Sequence, residues 1–195
     1  MINFEAAKID ILNALDHLSP ALTYHGKHHT LDVLAVAEHL CLSENISVKE
    51  TTLVLTAALL HDIGFLRDSR QHEAHSCQFA HEMLPKYGFT EGSIKRICGL
   101  IMATKIPQSP HNALEKILCD ADLDYLGRDD FYTIGQTLFE EMKTLNLLKT
   151  TNEWNNLQIR FLENHHFFTR TNRGERTRQK EKHLDKLRND TFISV

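Results

Sequence analysis

The sequence predicts an all-α fold. Apolar residues recur at helical spacing through nearly every segment, no stretch sustains the period-two alternation of a half-buried strand, and helix-start and helix-stop residues separate the segments. Its 195 residues suit one domain with a full-sized core.

Ile11, Leu12, Leu15 and Leu18 form the first apolar stripe, which ends at Ser19-Pro20. Beyond a histidine cluster, Leu31, Leu34, Ala35 and Leu40 mark a second helix. Ser47 with Glu50 reads as a capping box opening a third helix through Leu60. The run from Leu53 to Leu60, broken only by Thr56, is apolar on most faces, so that helix is expected to be central and buried. A fourth helix runs from about His72 to Tyr87 and stops at Gly88, a residue suited to the left-handed backbone that closes helices. Ile94, Ile97, Cys98, Ile101 and Met102 define a fifth, and Pro107 and Pro110 then break the chain into a loop. Leu114, Ile117, Leu118 and Ala121 begin a sixth stripe; Phe131, Ile134, Leu138, Met142 and Leu145 form a seventh. Trp154, Leu157, Phe161, Leu162 and Phe168 give the last strong one, and from Arg170 the chain turns polar and basic, with a weak helix around Leu184 and Leu187. No repeat or low-complexity linker intervenes. The expectation is a single domain over 1–195, with its functional core at about 22–145 and C-terminal helices over 150–190.

A net charge of −4 gives no global pull toward nucleic acid or membrane. The longest apolar run is far shorter than a bilayer span, and MINFEAAKID lacks the apolar stretch of a signal peptide, so a cytoplasmic protein is expected. Cys41, Cys77, Cys98 and Cys119 include no C-x-x-C pair and sit beside apolar neighbours, as reduced core residues would. The segment His165–Val195 holds eight Lys and Arg against four acidic residues, read as a solvated terminal helix rather than an RNA- or phosphate-facing patch. On the preceding stripe, His165 and His166 are expected to pack or to be partly exposed.

The unusual count is 13 histidines. In Tyr24–Asp32, His25, His29 and Asp32 stand at i, i+4 and i+7 and share one face if the helix begins early enough. His61-Asp62-Ile63-Gly64 follows the most apolar helix. Asp122 falls where the stripe from Leu114 calls for an apolar side chain. A core-facing carboxylate costs several kcal/mol, on an order-of-magnitude basis, unless paired or bound to a cation. A divalent ion would resolve both buried aspartates. Two imidazoles and two carboxylates, with no thiolate, suit Mn, Fe, Co, Ni or Mg better than structural zinc. Four protein ligands on an octahedral ion leave room for water acidified for attack on phosphorus. Lys27, Arg67 and Arg70 lie in loops near these residues, where they could meet phosphate or remain ordinary surface charges.

At these residues the chain resembles the HD superfamily of metal-dependent phosphohydrolases, whose signature is an early histidine, a His-Asp doublet and a distant aspartate: here His29, His61-Asp62 and Asp122. YHGKHHTLDV also looks like the metal-site helix of cyclic-nucleotide phosphodiesterases, which implies a general-acid role for His25 and a ligand role for His29. ILCDADLDYLG is similar to the final-aspartate motif of small bacterial HD proteins, with Asp122 the usual ligand and Asp120 the competing choice. The resemblance covers roughly residues 22–145. It implies a helical, phosphodiesterase-like bundle, with Asp62 both binding the metal and taking a proton from water.

Dinuclear members carry two further histidines. His72, with His75 as alternative, matches the first; the second is expected where Ala103-Thr104 stand, and His111 lies in the following loop. One ion per chain is therefore expected. HDIG resembles cyclic-di-GMP phosphodiesterases, but their Gly-Tyr-Pro motif is absent, and Ile63, Gly64, Phe65 and Leu66 replace the pattern of alarmone hydrolases. The implied substrate is a small phosphate ester, of the nucleotide or cyclic-nucleotide class, and a homodimer is compatible with this reading. The rivals are an HD-fold di-iron oxygenase and a non-catalytic nucleotide-binding module.

Overall fold

The computed structural model describes residues 2–193, and among them contains ten α-helices, three short 3-10 turns and no strand. They cluster into two compact units: residues 2–19 with 25–122, and residues 20–24 with 123–193.

The first unit holds α1 (Phe4–Leu15), α2 (Lys27–Ser43), α3 (Val48–Leu60), α4 (His72–Met83), α5 (Glu91–Thr104) and α6 (Ala113–Asp122). α3 is central, packed against α1, α2, α5 and α6. Its Val54, Ala57, Ala58, Leu59 and Leu60 have no exposed surface. Each buried Leu stabilises the fold by about 1.5–3 kcal/mol relative to exposure. The one polar residue in this run, Thr56, is also buried, and its hydroxyl donates to the Thr52 carbonyl at 2.6 Å. At the start of α3, Ser47 Oγ accepts the Glu50 N–H. The Glu50 carboxylate returns to the Ser47 hydroxyl rather than to its backbone, so the expected capping box forms only in part.

Two further boundaries differ from expectation. α1 closes at Leu15, because the chain enters a turn in which the Leu18 N–H donates to the Leu15 carbonyl. Leu18 still packs on the core, from outside the helix. α4 ends at Met83 and continues as a 3-10 turn, Leu84–Tyr87, where Pro85 stands; Gly88 then takes φ 80°. Cys41 and Cys119 are core residues, whereas Cys77 and Cys98 are only half-buried; all four are free thiols.

The second unit holds α7 (Phe131–Thr144), α8 (Thr151–Asn164), α9 (Arg170–Glu175) and α10 (Thr177–Ile193) around Tyr24, Leu126, Phe131, Leu162, Phe167 and Leu187. α8 stops at Asn164 rather than reaching Phe168. His165 turns to extended backbone (φ −77°, ψ 139°), and Thr169 caps a new helix by accepting the Asn172 N–H. The basic tail forms a 17-residue helix, far more than the weak one expected. Lys180 and His183 join Leu187 on its buried face. The Lys180 ammonium donates to the carbonyls of Leu162 and His165, at the C-terminal end of α8. No helix among the described residues is long and apolar enough to cross a membrane.

Candidate metal centre

Three helix ends of the first unit meet at one point. Gly26, extended at φ −106° and ψ 176°, starts α2 late enough that His29 is its third residue. α3 ends at Leu60, so His61 caps it and Asp62 follows directly. Asp122 is the last residue of α6.

His29 Nε2 lies 3.3 Å from His61 Nε2 and 3.2 Å from Asp122 Oδ1, and His61 Nε2 lies 3.5 Å from Asp122 Oδ1. Asp62 Oδ2 joins them, 3.1 Å from His61 Nε2 and 3.5 Å from His29 Nε2. His29, His61 and Asp62 are buried, and the Asp122 side chain keeps 15% of its surface exposed. Among the described residues, only His29, His61 and Asp122 form a group of three or more whose donor atoms all converge.

The His61 tautomer follows from its surroundings. Nδ1 is 2.8 Å from the Ala58 carbonyl, which only accepts, so Nδ1 carries the proton and donates. In the neutral ring, Nε2 is then a bare lone pair aimed at the cluster. Asp62 Oδ2 is buried and accepts no hydrogen bond. Lone pairs thus face lone pairs, an arrangement that requires positive charge between them. Protons supply it in part. Burial pushes the His61 imidazolium down, but Asp62 and Asp122 more than offset that and hold it well above its usual range. Burial likewise opposes the ionised carboxylates, yet His61 and His72 hold Asp62 well below the usual range, and His29 and His61 lower Asp122 to about 2. A divalent cation answers the same demand. Nitrogen and oxygen donors spaced 3.1–3.5 Å apart fit neighbouring ligands of an ion with bonds of about 2.1 Å. The donor set fits a metal.

Gly64 shapes the ground beside this cluster. A Cβ there would stand 1.9 Å from the His72 carbonyl oxygen, so only glycine admits the start of α4 this close. The Ser76 hydroxyl donates to the His61 carbonyl at 2.7 Å and accepts the Gly64 N–H at 2.9 Å, fixing the turn that carries the doublet. His72 is thereby brought to Asp62, with Nε2 3.4 Å from Oδ1, the oxygen facing away from the main cluster. Burial opposes protonation of His72, but Asp62 raises its pKa.

His25 precedes α2 and does not share a helix face with His29. It reaches the site instead by stacking on Phe65, at 4.4 Å between ring centroids, and Phe65 also stacks on His72 at 4.3 Å. The His25 and His29 rings are 6.2 Å apart. Lys27 is held by Asp16 at 2.8 Å, Arg67 by Glu82 at 2.8 Å and by the Phe79 ring, and Arg70 is exposed beside Asp68. Asp120 is fully buried, outside the converging group. His75 meets Gln78, Thr104 Oγ1 donates to the Ile101 carbonyl, and His111 is an exposed loop residue. His165 and His166 belong to the second unit, with His165 flanked by Phe161 and Phe167. Sequence reading does not single out Ser76, the role of Phe65, or Glu73, a buried carboxylate 3.5 Å from His72 Nε2. The one available signal for Glu73 is its place beside a candidate histidine.

The HD domain family matches residues 26–124, just over half of the chain. No curated protein matches significantly. Similar solved structures include a predicted HD superfamily hydrolase from an uncultured Thermotogales bacterium, 21% identical with a TM-score of 0.59, covering 95% of this chain and 91% of that one. A Lactobacillus plantarum protein is 18% identical with a TM-score of 0.65, covering 99% and 100%. At these identities the likeness is one of fold.

Proposed function

The chain belongs to the HD-domain family, and from that premise we propose that it is a metal-dependent phosphohydrolase acting on a small phosphate ester of the nucleotide or cyclic-nucleotide class. One observation carries this reading: His29, His61 and Asp122 converge on one point, and Asp62 Oδ2, buried without a hydrogen bond, lies beside both imidazoles. His29, His61, Asp62 and Asp122 would hold one divalent ion, of Mn, Fe, Co, Ni or Mg. When bound, such an ion supplies acidity for a water nucleophile and offsets charge on phosphoryl oxygens.

The chain's own groups do the rest. The bond from His61 Nδ1 to the Ala58 carbonyl orients the ring and, in the neutral form, leaves Nε2 as the nitrogen that binds. Asp62 directs Oδ2 at the histidines and Oδ1 at His72, and is the group placed to take a proton from the attacking water. His25, half-buried against Phe65, gives a proton to the leaving oxygen. All three cations have a carboxylate partner, but Lys27 and Arg67 hold theirs at 2.8 Å and Arg70 meets Asp68 only at 3.5 Å, which leaves Arg70 as the freer cation for phosphate.

A second ion is the alternative that one feature favours, since His72 Nε2 lies 3.4 Å from Asp62 Oδ1 and 3.5 Å from the buried Glu73 carboxylate. Metal content of the purified protein is measured beside hydrolysis of bis-p-nitrophenyl phosphate and a nucleotide panel, for wild type and Asp62→Ala. One ion per chain, lost with activity in the variant, is expected. Two ions would favour the dinuclear site and reopen oxygenase chemistry. Metal binding without turnover would overturn the hydrolase reading in favour of a binding module.

A further inference from the structure

Cys77 and Cys98 stand 21 residues apart in sequence yet side by side where α4 packs on α5. Cys77 Sγ is 3.6 Å from the Cys98 carbonyl oxygen, and Cys98 Sγ is 3.8 Å from that of Cys77. A disulfide needs Cα atoms roughly 4.4–6.8 Å apart, and here each sulfur already meets the other residue's backbone. Both residues are half-buried and so open to a small reagent, unlike Cys41 and Cys119. His81 lies one turn beyond Cys77 on α4, and its Nδ1 is 3.7 Å from Glu91 in the first turn of α5.

We propose that Cys77 and Cys98 are an oxidative modification site, a dithiol that a low-molecular-weight disulfide converts into a covalent link between α4 and α5. The Cys98 thiolate attacks one sulfur of the oxidant RSSR, forming a Cys98–SR mixed disulfide and releasing RS⁻. Cys77, its proton passing to His81 or water, attacks Cys98 Sγ and expels the second RS⁻. Two protein thiols are oxidised, and one RSSR is reduced to two RSH. The roles follow from the surroundings. The neighbouring Cys77 thiol, with His81, outweighs burial and lowers Cys98 to about 7, while the Cys98 thiol and burial push Cys77 up. Cys98 is therefore the attacking thiol and Cys77 the resolving one. The link falls next to Ser76, the residue that ties α4 to the His61–Gly64 turn.

Full-length protein is incubated with oxidised glutathione, quenched in acid, alkylated and mapped by peptide mass spectrometry. A Cys77–Cys98 disulfide is expected, reversed by dithiothreitol, with glutathione trapped on Cys98 in Cys77→Ser. In untreated wild type, limiting iodoacetamide labels Cys98 before the other three cysteines, an arm that needs no variant. Four unmodified thiols after treatment, glutathione persisting on wild-type Cys98, or a disulfide to Cys41 or Cys119 would overturn the proposal. None of these readouts depends on hydrolysis.

Discussion

A single methyl group on Gly64 would enter the His72 carbonyl oxygen, with the Ser76 backbone nitrogen close behind it. Backbone cannot swing aside as a long side chain can, so Gly64→Ala must push the start of α4 away from the doublet. Overpacking of this kind costs about 1–3 kcal/mol. We expect a lower melting temperature and weaker metal binding together, read by calorimetry with and without Mn²⁺; an unchanged melting curve would show that the turn has slack. The residues that converge here are legible from sequence because their types misfit their positions. Asp122 interrupts an apolar stripe, and His61-Asp62 closes the most apolar helix. Phe65, Glu73 and Ser76 are ordinary residues whose importance lies in their neighbours across the fold, and local pattern carries no such information.

Helix existence follows from periodicity, whereas helix ends are set by capping geometry and by what the next segment packs against. α8 shows the limit: its apolar stripe runs on to Phe168, but the backbone leaves the helix at His165. α10 shows another, since its buried face includes a lysine and a histidine that hydropathy counts as solvent-facing. Lys180 answers carbonyls left open at the end of α8, and burial lowers its pKa. Lys180→Met keeps the stem and removes the donor. It should destabilise the protein by about 2 kcal/mol through the unsatisfied carbonyls. Urea titration checks this, and a midpoint equal to wild type would mean that water replaces the ammonium.

At the scale of the whole protein, a metal ion held at this cluster would compete with protons. His61 has a raised pKa in the fold, so its contribution to metal-free stability is full below its ordinary value of 6.5 and is lost as pH rises through the raised value. Asp62 and Asp122 act in the opposite sense, contributing above their ordinary 3.8 and losing that as pH falls through their lowered values, about 2 for Asp122. A divalent ion needs the histidines unprotonated. The rise in melting temperature on adding Mn²⁺ should therefore be small at about pH 6 and larger at about pH 8. Chelation should abolish it, and His29→Ala should show little of it at either pH. A metal-induced shift independent of pH would place the ion elsewhere.

His29 and Asp122 are 93 residues apart in sequence, and the donor atoms meet only after the helices that carry them have packed. Contacts between such distant segments form late in folding, since the connecting chain must first be closed. An ion held by those donors stabilises the finished structure while leaving a transition state without the site almost untouched. Stopped-flow measurements should find refolding equally fast with and without Mn²⁺, and unfolding slowed by nearly the whole factor by which metal raises the equilibrium constant. Saturation with the ion would thus act as a brake on unfolding, lengthening the lifetime of each folded molecule without hastening its arrival.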